Sequence, residues 1–391
     1  MVARFLLDDA HARTRSLISA ILCAALAGCG FGLMMPLISL NLEAMTGSGA
    51  VVGANAAAAA ISTIAATPLI PPLLSRIPPR AAIVGATVLT GAGIAAFPLF
   101  PDVVVWFVLR FAVGLTVTLI FVASETWINQ LAKPESRATL LAVYATVLSG
   151  GFGSGGVILA VLGSEGFAPW LAGAAIFFVG AIPILVLKGP GLEPPSAEES
   201  GPRAMVRAAR LAPAAILAGL VFGALETGVF SLVPVYAERL GFTEVMVGLL
   251  VATGAFGAIA MQIPMGKFAD AAGRLTTLRL IAAAAVVLAL AIALAGARAW
   301  AVFPLVFAYV GLASAFYTVG LALMGERVRI GELATANAAF IFAYGVGSLI
   351  GPPIAGAAMD GFDPHGLMIA FAVFAALYLV IAWREKDIAK H

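Results

Sequence analysis

The chain has 391 residues, of which 62% are hydrophobic and only 11% charged, with a formal net charge of +2. Ordinary soluble domains carry about a quarter charged residues, so this balance excludes a conventional water-solvated enzyme, and the small net charge identifies no partner. Apolar runs that repeatedly reach about 20 residues, the length at which a helix crosses ~30 Å of hydrocarbon, also exclude an enlarged soluble core.

In chain order the runs cover 16–40, 51–74, 81–100, 103–131, 138–162, 168–187, 213–237, 244–265, 278–296, 300–324, 338–358 and 366–383. They are rich in Ala, Leu, Val and Gly without two-residue alternation, which predicts helices rather than the strands of an outer-membrane barrel. The expected fold class is therefore an all-α membrane protein with twelve transmembrane helices. Arg13 and Arg15 before the first run give it the outline of a secretory signal. The run is longer than a signal core, however, and no small-residue cleavage site closes it before Pro36 and Asn41. Cys23 and Cys29 lie six residues apart within that run, on different sides of one helix, so no disulfide and no cysteine metal site is expected. His11, His365 and His391 all fall outside the runs. No metal and no other cofactor is expected.

Charge orients the chain. With the N-terminus in the cytoplasm, nineteen Lys and Arg residues fall on inner segments and only Arg239 and Arg298 on outer ones. This predicts cytoplasmic termini, with short outer loops around 41–50, 163–167, 238–243 and 359–365. The longest polar segment, KGPGLEPPSAEESGPRAMVRAARLA at 188–212, cannot be embedded in lipid and divides the runs six and six. The domains expected are a six-helix bundle at 1–187, a cytoplasmic linker at 188–212 and a second six-helix bundle at 213–391. At a lag of 195 residues Gly53 falls on Gly248, Gly150 on Gly345, Gly156 on Gly351, and the loop at 75–80 on 270–275. Two parallel halves related by duplication are one known organisation of secondary transporters.

After the eighth run the sequence reads Gly266-Lys267-Phe268-Ala269-Asp270-Ala271-Ala272-Gly273-Arg274, taken here as a loop. In the fourth run Arg110-Phe111-Ala112-Val113-Gly114 forms an R-x-x-x-G pattern. The eleventh run holds Gly347-Ser348-Leu349-Ile350-Gly351-Pro352 with Gly356. These three segments resemble the signature motifs of the major facilitator superfamily. Ser124-Glu125-Thr126-Trp127-Ile128-Asn129 and Ala336-Asn337-Ala338-Ala339-Phe340, followed by Tyr344-Gly345-Val346-Gly347-Ser348, resemble the YcaD-like group of bacterial permeases. The resemblance spans nearly the whole chain. It implies a conformational role for Gly266, Asp270, Gly273 and Arg274 as a cytoplasmic latch, and for Gly347, Gly351 and Pro352 in the glycine-proline motif. Three departures are visible. The basic residue expected after Asp270 is Ala271, and the first-half counterpart Ser75-Arg76-Ile77-Pro78-Pro79-Arg80 has lost the Asp and the glycines. The fifth run, Gly150-Gly151-Phe152-Gly153-Ser154-Gly155-Gly156, lacks the proline of the usual antiporter form. Most glycines in the runs are expected to serve helix packing. Lys267 after Gly266 is no nucleotide loop, because Phe268 follows and the upstream glycine is missing.

Away from the ends of the runs, where Glu244 and Arg279 stand, three ionisable side chains remain: Arg110, Glu125 and Glu226. Each costs roughly 2.5–3.5 kcal/mol at mid-bilayer, so each needs a partner, a water-filled cavity or a neutral form. Glu226 sits midway along the seventh run and is the first candidate for proton coupling. Arg110 and Glu125 share a helix but stand about 22 Å apart along it and cannot pair. Arg110 is read as structural or gating, and Glu125, with Asn129 one turn on, as a second acidic candidate. Thr227, Gln262, Tyr317, Asn337 and Tyr344 are polar side chains available to line a cavity. The function expected is proton-coupled export of a small organic molecule by alternating access, as an antiporter. Metabolite uptake, facilitated diffusion and a non-transporting membrane receptor are the alternatives, and enzymatic activity is not expected. The partners expected are the small-molecule substrate, protons and the lipid bilayer, with no nucleic acid, and the protein is expected to be a monomer.

Overall fold

The structure is a computed structural model that describes residues 2–131, 137–187, 212–327 and 333–385. Within them the chain is helical and contains no strand. The helices are α1 (Val2–Thr46), α2 (Gly49–Ala66), α3 (Ile70–Arg76), α4 (Pro79–Ala96), α5 (Val103–Leu131), α6 (Arg137–Leu162) and α7 (Ala168–Val186), followed by α8 (Pro213–Arg239), α9 (Glu244–Ala272), α10 (Arg274–Ala295), α11 (Ala299–Arg327), α12 (Leu333–Gly361) and α13 (Gly366–Arg384). Each of the twelve apolar runs has its helix, with α2 and α3 sharing one run. Eleven helical segments are long and apolar enough to cross a membrane, and in α6 the described apolar part, Thr146–Leu162, is shorter. The linker proposed at 188–212 lies, apart from Ala212, outside the described residues.

Helix ends differ from the sequence reading where no residue stops the helix. The segment 266–272, read as a loop, continues α9, because nothing in Lys267 to Ala272 breaks a helix. Gly273 alone separates α9 from α10, at φ 92° and ψ 141°, a left-handed conformation that a side chain with a Cβ rarely adopts. Likewise α1 runs on through Asn41 and Glu43 to Thr46, so the turn begins only at Gly47, φ 60°. In the second run a 3-10 turn at Thr67–Leu69 parts α2 from α3 at Pro68, where proline removes a backbone donor.

Contacts group the chain into two compact units, Met1–Met34 with Ile61–Ala197, and Met35–Ala60 with Glu198–His391. In the first unit α4 lies against α7 and α5. Helices α1 and α6 approach to backbone distance through small residues on both. A methyl group at Gly28 would come 2.6 Å from the Leu148 carbonyl oxygen, and methyls at Gly151 and Gly155 would meet the carbonyls of Ala25 and Cys29. The glycine-rich stretch of α6 is thus a packing surface. One end of the unit is closed by a trio of rings. Phe97 stacks on Trp170 at 5.3 Å, and the Trp106 indole N–H donates to the Phe100 carbonyl at 2.8 Å.

In the second unit α8 is the central helix, in contact with α12, α11, α13 and α9. Its most apolar window is 67% buried, against 33% for α10. The N-terminal amide of Ala214 on α8 donates to the Glu385 carboxylate at 2.7 Å, and Glu385 also pairs with Arg327 at 3.1 Å. Arg279 on α10 donates to the backbone oxygens of Ala382 and Glu385 at 3.1 and 2.6 Å. These bonds tie the ends of α8, α10, α11 and α13 with donors and acceptors that the helices themselves leave open.

Candidate functional site

Glu226 stands at the midpoint of α8, half-buried. Gly223, one turn before it, lets α12 approach, since a methyl there would meet the Tyr344 carbonyl and the Ser348 hydroxyl. That approach brings the Tyr344 hydroxyl to donate to Glu226 Oε2 at 2.8 Å, while the Ser348 hydroxyl donates to the Gly223 carbonyl at 3.2 Å. Phe222, one turn before Glu226, has its ring 5.7 Å from Tyr344 and 5.4 Å from Tyr317, and Tyr317 lies 5.5 Å from Phe340. Three helices, α8, α11 and α12, therefore assemble one carboxyl and four rings. Among the described residues no Lys or Arg pairs with Glu226, and its second oxygen carries no hydrogen bond.

Of the residues singled out in the sequence, this group contains Glu226, Tyr317 and Tyr344. Thr227 follows Glu226 on α8, half-buried, and Gln262 is exposed on α9, outside the group. The side chains of Glu125, Asn129 and Asn337 lie outside the described residues. Phe222, Phe340 and Ser348 belong to the group and were not anticipated. Their signal was present: 340, 344 and 348 share one face at successive four-residue steps, as do 222 and 226.

Arg110 belongs to the first unit, on α5, and is 2% exposed. Its guanidinium lies over the Phe31 ring, 6.0 Å from the centroid, and Phe31 in turn meets Phe121 and Phe152 edge-on at 6.1 and 5.6 Å. Among the described residues, Nε and Nη1 have no hydrogen-bond partner.

The motif around Gly273 holds an ion pair between helices. Arg274 Nη1 bonds Glu326 on α11 at 2.9 Å and donates to the Ala322 carbonyl at 2.8 Å, while Asp270 stands 3.9 Å from Arg274 with its side chain 75% exposed. The cross-helix tie therefore runs through Arg274 and Glu326, and Glu326 was not foreseen. Gly266 has open space where a Cβ would stand. In the other motif, methyls at Gly347 and Gly351 would meet Leu220 and Ala224 of α8, and the Pro352 carbonyl faces Gly53 of α2, so all three serve helix packing.

A fourth cluster stands at the C-terminal end of α8. Arg239 bonds Glu43 of α1 at 2.8 Å, Asp360 of α12 at 2.8 Å and Asp363 at 2.7 Å. Asp360 also accepts from the Gly49 and Ala50 amides at the start of α2, at 2.7 and 2.9 Å, and from the Ser48 hydroxyl at 2.8 Å.

The profile of the Major Facilitator Superfamily matches residues 20–313 and 246–390, and the chain belongs to that superfamily. It is accordingly a multi-pass membrane protein of a secondary-transporter class. Among relatives, it is 28% identical over 303 residues to an uncharacterized MFS-type transporter of Enterobacter sp. (strain 638), covering 77% of each chain. It is also 28% identical over 285 residues to the uncharacterized MFS-type transporter YcaD of Salmonella paratyphi B, covering 72% of each. In fold it is similar to a variant of the nucleoside transporter NupG, with a TM-score of 0.79, 14% identity and coverage of 94% of this chain and 99% of that one. It is similar as well to a bacterial homolog of the human lysosomal transporter Spinster, at a TM-score of 0.70, 17% identity and 95% coverage of each.

Proposed function

We propose that the protein exports a small organic molecule across the bacterial inner membrane by proton-coupled alternating access, with Glu226 carrying the proton and Tyr344 as its hydrogen-bond partner. The single observation that supports this reading is the 2.8 Å bond from Tyr344 to a carboxyl at the midpoint of a transmembrane helix with no cationic partner among the described residues. A carboxylate at that depth needs compensation, and a bound proton supplies it whenever no water or cation does. Proton loading and release at Glu226 would then differ between the two access states, which is what couples a gradient to transport. Arg110 is proposed as a gating residue of the first half, and the Arg274–Glu326 pair as a latch released during alternation. The proposed arrangement has two six-helix bundles joined at 188–212, with the linker and both termini cytoplasmic. A thiol introduced at Ser196 should then be silent to impermeant reagents outside intact cells.

The coupling is tested by flux of a compound panel into proteoliposomes with and without an imposed pH gradient, comparing the parent with Glu226→Gln. The parent should accumulate its substrate only with the gradient. The variant should lose accumulation while retaining exchange at equal concentrations, because glutamine keeps size and hydrogen bonding but takes up no proton. Equal accumulation by the variant, or gradient-independent flux by the parent, would overturn the reading.

A further inference from the structure

We infer that Glu226, Phe222, Tyr317, Phe340 and Tyr344 form a recognition site for a lipophilic organic cation: a protonated amine or an onium group carried on an apolar body. The inference deepens the proposed function, since it names the substrate class of the same site and rests on that reading only for the exchange of cation against proton.

Three features favour a cation over the alternatives. First, Glu226 presents one oxygen to Tyr344, and among the described residues the other carries no hydrogen bond and no Lys or Arg neutralises the group. A ligand cation would be the missing counter-charge, whereas an anion would meet an unscreened carboxylate. Second, the four rings form a connected, largely unstacked set, with centroids 5.4 to 5.7 Å apart and interplanar angles of 33°, 51° and 76°. Ring faces carry negative quadrupole density and attract onium groups within about 6 Å of the centroid. Third, Glu226, Tyr317 and Tyr344 are half-buried, while Phe222 and Phe340 behind them are buried, so a polar edge is backed by an apolar wall. A polar neutral solute such as a sugar would find too few donors and acceptors here. Loading is then a substitution at one carboxyl: the cation enters as the carboxylate's counter-charge, and the proton leaves for the water on that side. No bond other than O–H is made or broken.

The test uses full-length protein in lipid nanodiscs and two probes of the same shape and opposite charge, tetraphenylphosphonium and tetraphenylborate, measured by equilibrium dialysis against empty nanodiscs. The parent should bind the phosphonium saturably above the lipid background and the borate not at all. Glu226→Gln should weaken phosphonium binding about tenfold or more. Phe222→Leu and Tyr317→Leu should each weaken it about threefold to tenfold. Equal binding of both probes, no saturable phosphonium binding, or full phosphonium affinity in Glu226→Gln would overturn the inference. The probe comparison on the parent needs no variant, so it stands even if Phe222→Leu fails to fold. Failure of the proton reading is visible separately. Phosphonium binding that depends on Glu226 with gradient-independent flux retires proton coupling and keeps the cation site. Gradient-driven flux that needs Glu226, with phosphonium binding indifferent to it, does the reverse.

Discussion

Arg110 and Arg239 are both guanidinium groups on membrane-spanning helices, and the chain treats them oppositely. Arg239 reaches three carboxylates, Glu43, Asp360 and Asp363, each at 2.7 to 2.8 Å, and through Asp360 it is tied to the first amides of α2. Arg110 has no carboxylate partner among the described residues, two unpartnered nitrogens, and the Phe31 ring at 6.0 Å as its stabilising neighbour. Leaving a buried charged donor unpaired costs about 1–3 kcal/mol or more, while a cation–π contact returns about 0.5–2 kcal/mol. The Arg239 network is thus net structural, holding four helix ends together. Position 110 gives the fold little return for its charge, in keeping with the gating role proposed for it.

The largest effect that would sharpen the comparison is expected from Arg239→Ala. Three carboxylates then face one another without a counter-charge, and the partly exposed setting sets the loss at about 2–4 kcal/mol, read as a lower midpoint of thermal unfolding in detergent. An unchanged midpoint would remove the structural role and erase the contrast. Asp360→Asn should cost about 1–2 kcal/mol in the same measurement, since the amide oxygen still accepts from one α2 amide but the charge that holds Arg239 is gone. Arg110→Met should lie within about 1 kcal/mol of the parent in either direction, because methionine fills the space and needs no partner, while flux in proteoliposomes falls at least tenfold. A large drop in stability would show that Arg110 is structural after all. Glu326→Gln should change stability by less than about 0.5 kcal/mol, because its pair with Arg274 is partly exposed, yet should shift the balance of access states, read by cysteine accessibility near Gly273.

The partners that separate the two arginines were invisible in the sequence. Arg110 read as a charge inside the fourth run, structural or gating, and Arg239 as one of two cations outside the inner segments. Its partners Glu43, Asp360 and Asp363 come from positions 196, 121 and 124 residues away. The motif at 266–274 was legible as a motif but not as a shape. Its glycine was noted, while the continuation of α9 to Ala272 depended only on the absence of a helix breaker, and the partnership of Arg274 with Glu326 required α11 to be in place.

What the sequence by itself determined is the set of spans and their class, for a local reason. Crossing hydrocarbon demands about 20 apolar residues with every backbone group bonded within the helix, and that demand is written continuously along the chain. It also singled out Glu226, because one acidic residue in an apolar run stands out against its own neighbours. What only the tertiary structure decided is what Glu226 meets. Tyr344 is 118 residues away, and the two touch because Gly223, Gly347 and Gly351 let α8 and α12 come to backbone contact, after which Phe222 meets both Tyr344 and Tyr317. Lipid offers no solvent contrast between one apolar helix face and another, so hydrophobicity does not mark which faces pair. Steric fit between small residues on different helices does, and that fit exists only once the helices are assembled.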